Sequence, residues 1–293
     1  MARSTGRQSA DKAFYIGYDT AAKTWKGYLS SAVTAKIAVR AATTKPISTL
    51  TPVGFSAGPF PALSPVFLVY DKATNRYVDK TAAAGLGKAI LGRLVAAGDF
   101  NNDGFVDLFI TCNDELAKRP NILYLNKGDG TFVEAAGAAG AAGGTVGPHN
   151  TTTNLELGSK VAVADFNQDG FLDIFTGNTL WKSISKEQAY LAASNRLYRN
   201  EKNANHWLEI DLVGTRSNRD AIGARVVLKA GGKSQLREQG GGMHLFAQDH
   251  KRLHFGLGAA ATVESVVVEW PSGVRQELKN LKVDQILKIT EPQ

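Results

Sequence analysis

Two stretches of this 293-residue chain are nearly the same. Residues 95–109 read VAAGDFNNDGFVDLF and residues 161–175 read VAVADFNQDGFLDIF, so they align without a gap and 10 of 15 positions are identical. In each stretch a short apolar run leads into a polar loop, and a second apolar run follows, which is typical of two β-strands joined by a loop. Because internal repeats of this kind mark stacked structural units, we predict two copies of one β unit.

The residues after the first copy extend the unit. NILYLN at 121–126 and TFVEA at 131–135 flank a Lys-Gly-Asp-Gly turn, and Asp-Gly between alternating runs is a strong hairpin signal. Residues 67–79 repeat this second half, and a degenerate copy begins with NRLYRN at 195. We therefore predict a four-stranded antiparallel sheet for each unit, about the size of a propeller blade. Helix is expected only as a turn or two near 186–193.

The loop inside each copy carries the sharpest chemical signal. Oxygen-bearing side chains occupy its positions 1, 3, 5 and 9, a backbone carbonyl is available at position 7, and a glycine at position 6 permits a sharp turn. Hard oxygen donors at alternating positions suit Ca²⁺ better than zinc or copper. We predict two Ca²⁺ sites, with the ligands Asp99, Asn101, Asp103, Phe105 (carbonyl) and Asp107 in the first and Asp165, Asn167, Asp169, Phe171 (carbonyl) and Asp173 in the second.

These calcium loops differ from an EF-hand. An EF-hand has a bidentate Glu at position 12, where this chain has Ile110 and Thr176. The residues after position 9 also favour strand rather than helix. A structural role for the metal is expected, because all the side-chain donors come from one short segment and no position is reserved for a substrate.

The loops and the sequence beyond them resemble known families. DFNNDGFVDLFI and DFNQDGFLDIFT are similar to FG-GAP or VCBS repeats, the calcium-binding blades of β-propellers in integrin α-subunits and in bacterial secreted proteins. NRLYRN, NHWLEIDLVGTRSNRDAIGARVVL, LHFGLG and VVVEWPSG together resemble the ASPIC/UnbV domain, which follows such blades in the cartilage acidic protein family and its bacterial members. The resemblance covers about residues 66–291. It implies propeller-type blades followed by a β-sandwich, although this chain has fewer calcium motifs than family propellers usually show.

The predicted fold is all-β and has three parts. Residues 1–65 form an N-terminal β-rich module or a calcium-free blade, residues 66–204 form the repeat region with both calcium loops, and residues 205–293 form a seven-stranded sandwich. A propeller needs about four blades to close. The strand-like runs in residues 14–81 therefore leave two arrangements open. They supply a further blade and a small β module, or the sheets pack as an incomplete propeller or sandwich.

Composition excludes several classes of protein. The apolar runs are only a few residues long, so no membrane-spanning helix is expected, and the single Cys112 excludes a disulfide framework. Residues 1–90 carry 12 Lys and Arg against 4 Asp and Glu, a net charge of +8, and so account for the net charge of +7 of the whole chain. Because no nucleic-acid-binding motif accompanies this excess, we read it as a solvated basic surface. No apolar signal-peptide core is present in the chain, and the resemblance implies an extracellular or periplasmic location.

The sequence identifies no catalytic residues. Residues 54–58, GFSAG, match a hydrolase nucleophile elbow, but Pro59 and Pro61 follow where a helix is required. His244, His250 and His254 lack convincing metal-ligand spacing. Trp270 is expected to pack in a core rather than stack on a ligand.

The leading function is therefore a calcium-binding extracellular module for adhesion or for ligand or glycan recognition, without catalysis. Its partner is an unidentified protein or glycan. The alternative is a secreted polysaccharide-active enzyme, a lyase or hydrolase, on the same scaffold. A deep cleft lined by paired carboxylates or by a His–Tyr–Arg group would favour the enzyme, whereas exposed aromatic residues such as Trp25, Trp181 or Trp270 would favour binding.

Overall fold

The computed structural model describes residues 14–19, 21, 23–29, 64–90, 92–112, 120–143, 158–184, 187–192, 195–244 and 247–293. These residues form strands and turns with one short 3₁₀ segment, and they contain no α-helix. Contacts divide the chain into residues 1–56 and residues 57–293. The GFSAG motif and the strand-like run at 35–41 lie outside the described residues. So do the side chains of Trp25 and Trp181.

Among the described residues, two hairpins precede the repeats. In the N-terminal unit, β1 (Phe14–Asp19) pairs antiparallel with β2 (Thr24–Leu29). In the second unit, β3 (Leu68–Asp71) pairs antiparallel with β4 (Arg76–Asp79). Both hairpins fall where strand-like runs were predicted.

The first repeat forms a four-stranded meander, which we call blade 1. Its strands are β5 (Gly92–Gly98), β6 (Asp107–Cys112), β7 (Ile122–Asn126) and β8 (Phe132–Glu134), and each pairs antiparallel with the next. The predicted metal loop, residues 99–107 or loop 1, joins the first strand to the second. The predicted four-stranded unit is thus confirmed.

The second repeat, blade 2, has four strands in a different order. They are β9 (Gly158–Ala164), β10 (Asp173–Ile184), β11 (Glu187–Ala192) and β12 (Arg196–Tyr198). The first part of β10 pairs with β9 and β12, and its last six residues pair with β11. The prediction of a helical turn near 186–193 is wrong. Residues 187–192 form β11, because pairing with β10 overrides the local helix propensity. The degenerate copy at 195 is a strand of blade 2, and residues 165–173 form loop 2.

Blades 1 and 2 pack face to face. In blade 1 the cross-strand row Ala96–Phe109–Leu123 is buried. It shares one hydrophobic core with Val163 and Ile174, which pair across β9 and β10 of blade 2. A 3₁₀ segment (Ala136–Gly140) follows β8, and its Ala138 and the nearby Ala141 fill the same core. This alanine- and glycine-rich stretch therefore packs, although its composition alone suggests a flexible connector.

The opposite face of blade 1 has its own core. Ile110, Cys112 and Tyr124 pack there against Ala84 and Leu86, which belong to the segment leading into the blade. The amide of Phe132 donates to the carbonyl of Ala84, at 2.9 Å. Blade 1 is therefore covered on both faces.

Residues 206–290 form the predicted sandwich. Its strands are β13 (His206–Val213), β14 (Arg225–Ala230), β15 (Lys233–Glu238), β16 (Met243–His244), β17 (Ala247–Gln248), β18 (Leu253–Gly258), β19 (Thr262–Glu269), β20 (Arg275–Lys282) and β21 (Gln285–Thr290). One sheet has the order β18-β13-β21 and the other β15-β14-β19-β20, with β16 and β17 as a separate hairpin. All seven predicted strands are present, with ends that differ by a few residues.

The two sheets of the sandwich enclose one hydrophobic core. Leu208, Val226, Phe255 and Val266 are fully buried in it. Trp270 is only 3% exposed and donates from Nε1 to Gln276 Oε1 at 3.1 Å, so its predicted packing role is confirmed. Repeat blades followed by a β-sandwich, the predicted fold class, are thus observed. None of the described sheets closes into a barrel.

Glu291 fastens the end of the sandwich. Its Oε2 accepts hydrogen bonds from the successive amides of Thr215, Arg216 and Ser217 at 2.8, 2.8 and 2.7 Å. Successive N–H groups of this kind form an anion-binding nest. Burial opposes ionisation of Glu291, but hydrogen bonds led by those from Ser217 and Ser272 outweigh it and lower its pKa to about 2. The carboxylate is therefore ionised at neutral pH.

Candidate metal centre

Loop 1 is wrapped around its own side chains. Asp99 accepts hydrogen bonds from the amides of Asp103 (Oδ1, 3.1 Å) and Gly104 (Oδ2, 2.8 Å). Asn101 Oδ1 accepts from the Asp103 amide, and Asn101 Nδ2 donates to Asp103 Oδ2. Asp103 Oδ1 in turn accepts from the amide of Phe105. These Asx turns are why the alternating Asp and Asn residues fold into a tight loop, and they bring positions 1, 3 and 5 together.

Position 9 anchors the loop to the blade. The two carboxylate oxygens of Asp107 accept from the amides of Phe100 at 3.0 Å and Asn126 at 2.8 Å. Burial, helped by the nearby Asp103 carboxylate, raises the pKa of Asp107 to about 6. Burial likewise raises the pKa of Asp99 to about 7. Both carboxylates are thus held in a weakly solvated site that disfavours their negative charge.

Loop 2 repeats this geometry. Asp165 accepts from the amides of Asp169 and Gly170, and Asp169 accepts from the amide of Phe171 and from Asn167 Nδ2. Asp173 accepts from the amides of Phe166 at 3.1 Å and Asn200 at 2.7 Å. Burial raises the pKa of Asp173 as well. The two loops are therefore equivalent in structure as well as in sequence.

The donor set of each loop fits a hard cation. Within the described residues no three His, Cys, Asp or Glu side chains are grouped so that they could hold a metal ion by themselves. Asn101 and Asn167 add a side-chain amide oxygen between the Asp residues of positions 1 and 5. A carboxylate has about four lone-pair sites and can accept an N–H bond and still bind a cation. The chemistry suits Ca²⁺, with Asp107 and Asp173 also serving as structural anchors.

The two loops meet at one carbonyl oxygen. The side-chain Nδ2 of Asn102 donates to the carbonyl of Gly170 at 2.9 Å, and His254 Nε2 of the sandwich lies 3.0 Å from the same oxygen. Because a carbonyl only accepts, His254 carries its proton on Nε2. Burial lowers the pKa of His254 to about 4, so this histidine is neutral at pH 7. His254 therefore satisfies a loop backbone group rather than binding a metal.

The sandwich also lies directly on loop 1. The Gly258 amide of β18 donates to the Asn102 carbonyl at 2.8 Å. A Cβ at Gly256, two residues earlier, would overlap the Asp99 carboxylate and the Asn102 backbone. Lys233 Nζ donates to the carbonyl of Asp103 at 3.0 Å. The sequence pattern did not predict these contacts, although LHFGLG places small residues where one backbone approaches another.

Three asparagines after β12 complete the junction. Asn200 Nδ2 donates to the carbonyls of Phe100 at 2.7 Å and Leu172 at 3.0 Å, so it bridges the two loops. Asn203 and Asn205 donate to the carbonyl of Asn101 at 2.7 and 2.8 Å. The run NEKNANHW at 200–207 was not predicted to contact the loops, and its repeated Asn was the available signal. The domain boundary at 204/205 remains a prediction.

A cavity of about 330 Å³ lies beside this junction. Both blades and the sandwich line it, and charged side chains project from its wall. Glu209 pairs with Arg252 at 3.2 Å, and burial raises the pKa of Glu209 to about 7. Asp249 Oδ1 accepts from the amide of Val163 at 2.7 Å. These carboxylates therefore hold parts of the protein together.

Comparison with known proteins identifies two modules. The family model described as FG-GAP-like repeat matches residues 99–176, which contain both loops, and the model ASPIC and UnbV matches residues 214–293. The chain is 42% identical over 100 residues to cartilage acidic protein 1 of Homo sapiens and 40% identical over 100 residues to that of Mus musculus; each match covers 34% of this chain and 13% of the relative. The Xenopus tropicalis protein is 42% identical over 97 residues, 33% of this chain and 13% of the relative. The matched part thus spans about an eighth of these relatives, and the predicted resemblance is confirmed.

Proposed function

We propose that this protein is a calcium-stabilised, non-catalytic recognition module that works outside the cytoplasm and binds a protein or glycan ligand. The observation that carries the proposal is the repetition of one oxygen-lined loop at equivalent positions of two stacked blades. A turn that only reverses the chain does not require the same pattern of hydrogen-bonded oxygens in both copies. A metal site that is present in both copies does require it. No helix in the described part of the chain has the length and apolar character to cross a bilayer.

Calcium would act on stability in this proposal. Each loop holds three carboxylates, and a bound Ca²⁺ would offset their mutual repulsion. Ligand binding to the folded state alone stabilises it by RT ln(1 + [Ca²⁺]/Kd), about 2.7 kcal/mol at a hundredfold excess over Kd. A dissociation constant of about 10⁻⁴–10⁻³ M, as in extracellular calcium modules, would match a location outside the cytoplasm.

Isothermal titration of the EGTA-treated chain with CaCl₂ tests the proposal. Two ions are expected to bind, and calcium should raise the melting temperature. Asp103→Ala and Asp169→Ala should each remove one binding event. Asp129→Ala is the matched control, because it removes the same charge from an exposed hairpin turn and should leave both events intact. Absence of binding heat, together with the same melting temperature in calcium and in EGTA, would refute calcium binding.

The cavity supports a second candidate function, that of a polysaccharide-active enzyme. Glu209 and Asp249 are among the carboxylates that line it, and a glycosidic reaction uses a pair of such groups. Their bonds to Arg252 and to the Val163 amide favour a structural role instead. Release of reducing ends from a polysaccharide panel by the wild-type chain, lost in Glu209→Gln, would establish the enzyme. No release by either protein would leave the recognition module as the better description.

A further inference from the structure

We infer that the C-terminal sandwich is part of the metal-binding machinery: it holds both loops in their binding conformation and couples the two sites. The inference rests on the proposed calcium binding, and it assigns to the sandwich a function that its fold alone does not reveal. Three sets of contacts support it.

The first set joins β18 to loop 1. A Cβ on Gly256 would overlap Asp99, which holds position 1 of the loop, so the strand backbone lies against this carboxylate. The Gly258 amide simultaneously holds the Asn102 carbonyl. The strand therefore blocks movement of Asp99 toward the sandwich, and the Gly258 bond holds the backbone at Asn102 against β18. Gly256 and Gly258 act as positioning residues, since they act on the site through the loop.

The second set joins the sandwich to loop 2. The indole of Trp207, in β13, occupies the space in which a Cβ of Gly170 would lie. His254 Nε2 holds the Gly170 carbonyl, and Gly170 adopts φ +87°. This positive φ directly follows Asp169, the position-5 side chain. The sandwich thus contacts loop 2 at the residue that turns its backbone.

The third set joins the loops to each other. The Gly170 carbonyl accepts from Asn102 Nδ2 of loop 1 and from His254 of the sandwich. Ordering any one of these three parts therefore reduces the freedom of the other two. Such coupling is reciprocal: if the sandwich strengthens calcium binding, calcium must strengthen docking of the sandwich by the same factor.

Gly256→Ala tests the inference in the full-length chain. Each loop is measured alone by titration calorimetry, loop 1 in an Asp169→Ala background and loop 2 in an Asp103→Ala background. Gly256→Ala should weaken calcium binding at loop 1 by about tenfold, within the range of site-to-site coupling, and loop 2 by less. Gly240→Ala is the matched control, because a Cβ there meets nothing within 4 Å and its φ is not positive; it should change neither affinity.

Loop 2 has its own variant. His254→Phe keeps a ring in the buried site and removes the N–H donor to Gly170, so it should weaken loop 2 more than loop 1. Val266→Ala in the sandwich core, away from both loops, controls for lost stability. If Val266→Ala weakens calcium binding as much as His254→Phe does, the effect is general destabilisation and the inference is wrong.

The possible outcomes separate this inference from the proposed function. A wild-type chain that binds no calcium refutes the proposed function. A wild-type chain that binds two ions, with affinities unchanged in folded Gly256→Ala and His254→Phe, refutes the coupling alone. If Gly256→Ala does not fold, Asn205→Ala, at the first residue of the predicted sandwich, replaces it, and a loop 1 affinity weakened by about threefold is expected from the lost bond to the Asn101 carbonyl.

Amide hydrogen exchange tests the reciprocal effect. Removing calcium with EGTA should speed exchange of the Gly258 amide, which donates to Asn102, in the wild-type chain. The Gly273 amide donates to Trp270 within the sandwich and should exchange at the same rate in both conditions. Equal changes at both amides would indicate that calcium stabilises the whole unit uniformly, contrary to the inference.

Discussion

Blades 1 and 2 carry matching apolar rows but cover them differently. In blade 1 the row Ala96–Phe109–Leu123 is 0%, 0% and 5% exposed. The equivalent row in blade 2 is Ala162–Phe175–Leu197, in which Phe175 is 40% and Leu197 51% exposed. Blade 2 lies over the first row, whereas the described part of the chain places no sheet over the second. Each repeat therefore has an apolar face suited to packing against another blade, and the position of the blade in the stack determines whether that face is buried.

The largest difference is expected for the central phenylalanines of the two rows. Phe109→Ala should reduce the free energy of unfolding by about 3–5 kcal/mol, the usual cost of deleting a fully buried ring. Phe175→Ala removes a ring that keeps much of its contact with water, so roughly 1–2 kcal/mol is expected from the area involved. Urea unfolding of both variants at one calcium concentration measures the two costs.

Equal costs for Phe109→Ala and Phe175→Ala would overturn this comparison. They would mean that the groove of about 580 Å³ beside Phe175, which Phe166, Leu197 and Ile222 also line, is covered in solution. A cost at Phe175 that depends on protein concentration would identify a second copy as the cover.

The sequence was most informative where a pattern is local. Asx turns depend on residues two to five positions apart, so the loops around Asp99 and Asp165 were predictable in place and in shape. Glycine and proline turns at regular spacing likewise predicted the seven sandwich strands. The strand at 187–192 was missed because its pairing with β10, not its helix-forming residues, decides its conformation.

Loop glycines provide the next comparison. Gly104 and Gly170 occupy position 6 of the two loops with φ of +91° and +87°, so alanine at either costs about 1–2 kcal/mol for the left-handed backbone. At Gly104 the nearest atom to a new Cβ is Gln235 Nε2 at 3.4 Å, whereas at Gly170 the Cβ would overlap the indole of Trp207. Gly170→Ala should therefore cost roughly 1–3 kcal/mol more, the usual penalty for overpacking.

Thermal or urea unfolding of Gly104→Ala and Gly170→Ala checks this difference. If Gly170→Ala costs less stability in a Trp207→Ala background than in the wild-type chain, the added cost is steric. If the two single variants are equally stable, Trp207 moves aside freely and does not hold loop 2.

Contacts between distant segments were outside the reach of the sequence. His254 and Gly170 are 84 positions apart, and Asn205 and Asn101 are 104 apart. No local periodicity relates such residues, because their contact depends on how the sandwich docks. The residue types in loop 1 indicate which ligand the loop would bind, but they do not indicate which distant residues donate hydrogen bonds to its backbone carbonyls.

The smallest difference is expected for two equivalent asparagines. Asn126 and Asn200 each close a blade by donating a backbone amide to the position-9 Asp, at 2.8 and 2.7 Å. The Asn126 side chain donates to the Val106 carbonyl and accepts from the Gly128 amide, both within blade 1, whereas Asn200 donates to the Leu172 carbonyl and to the Phe100 carbonyl of the other loop. The Gly128 bond is exposed to water and the Phe100 bond is partly buried, so Asn200→Ala should destabilise the protein by about 0.5–1.5 kcal/mol more than Asn126→Ala. Urea unfolding in calcium measures both. Asn200→Asp keeps an acceptor but removes the N–H donor, so it should destabilise the protein as much as Asn200→Ala does. Equal losses in the two alanine variants would show that the bond between loops contributes no stability and that Asn200 only closes its own blade, as Asn126 does.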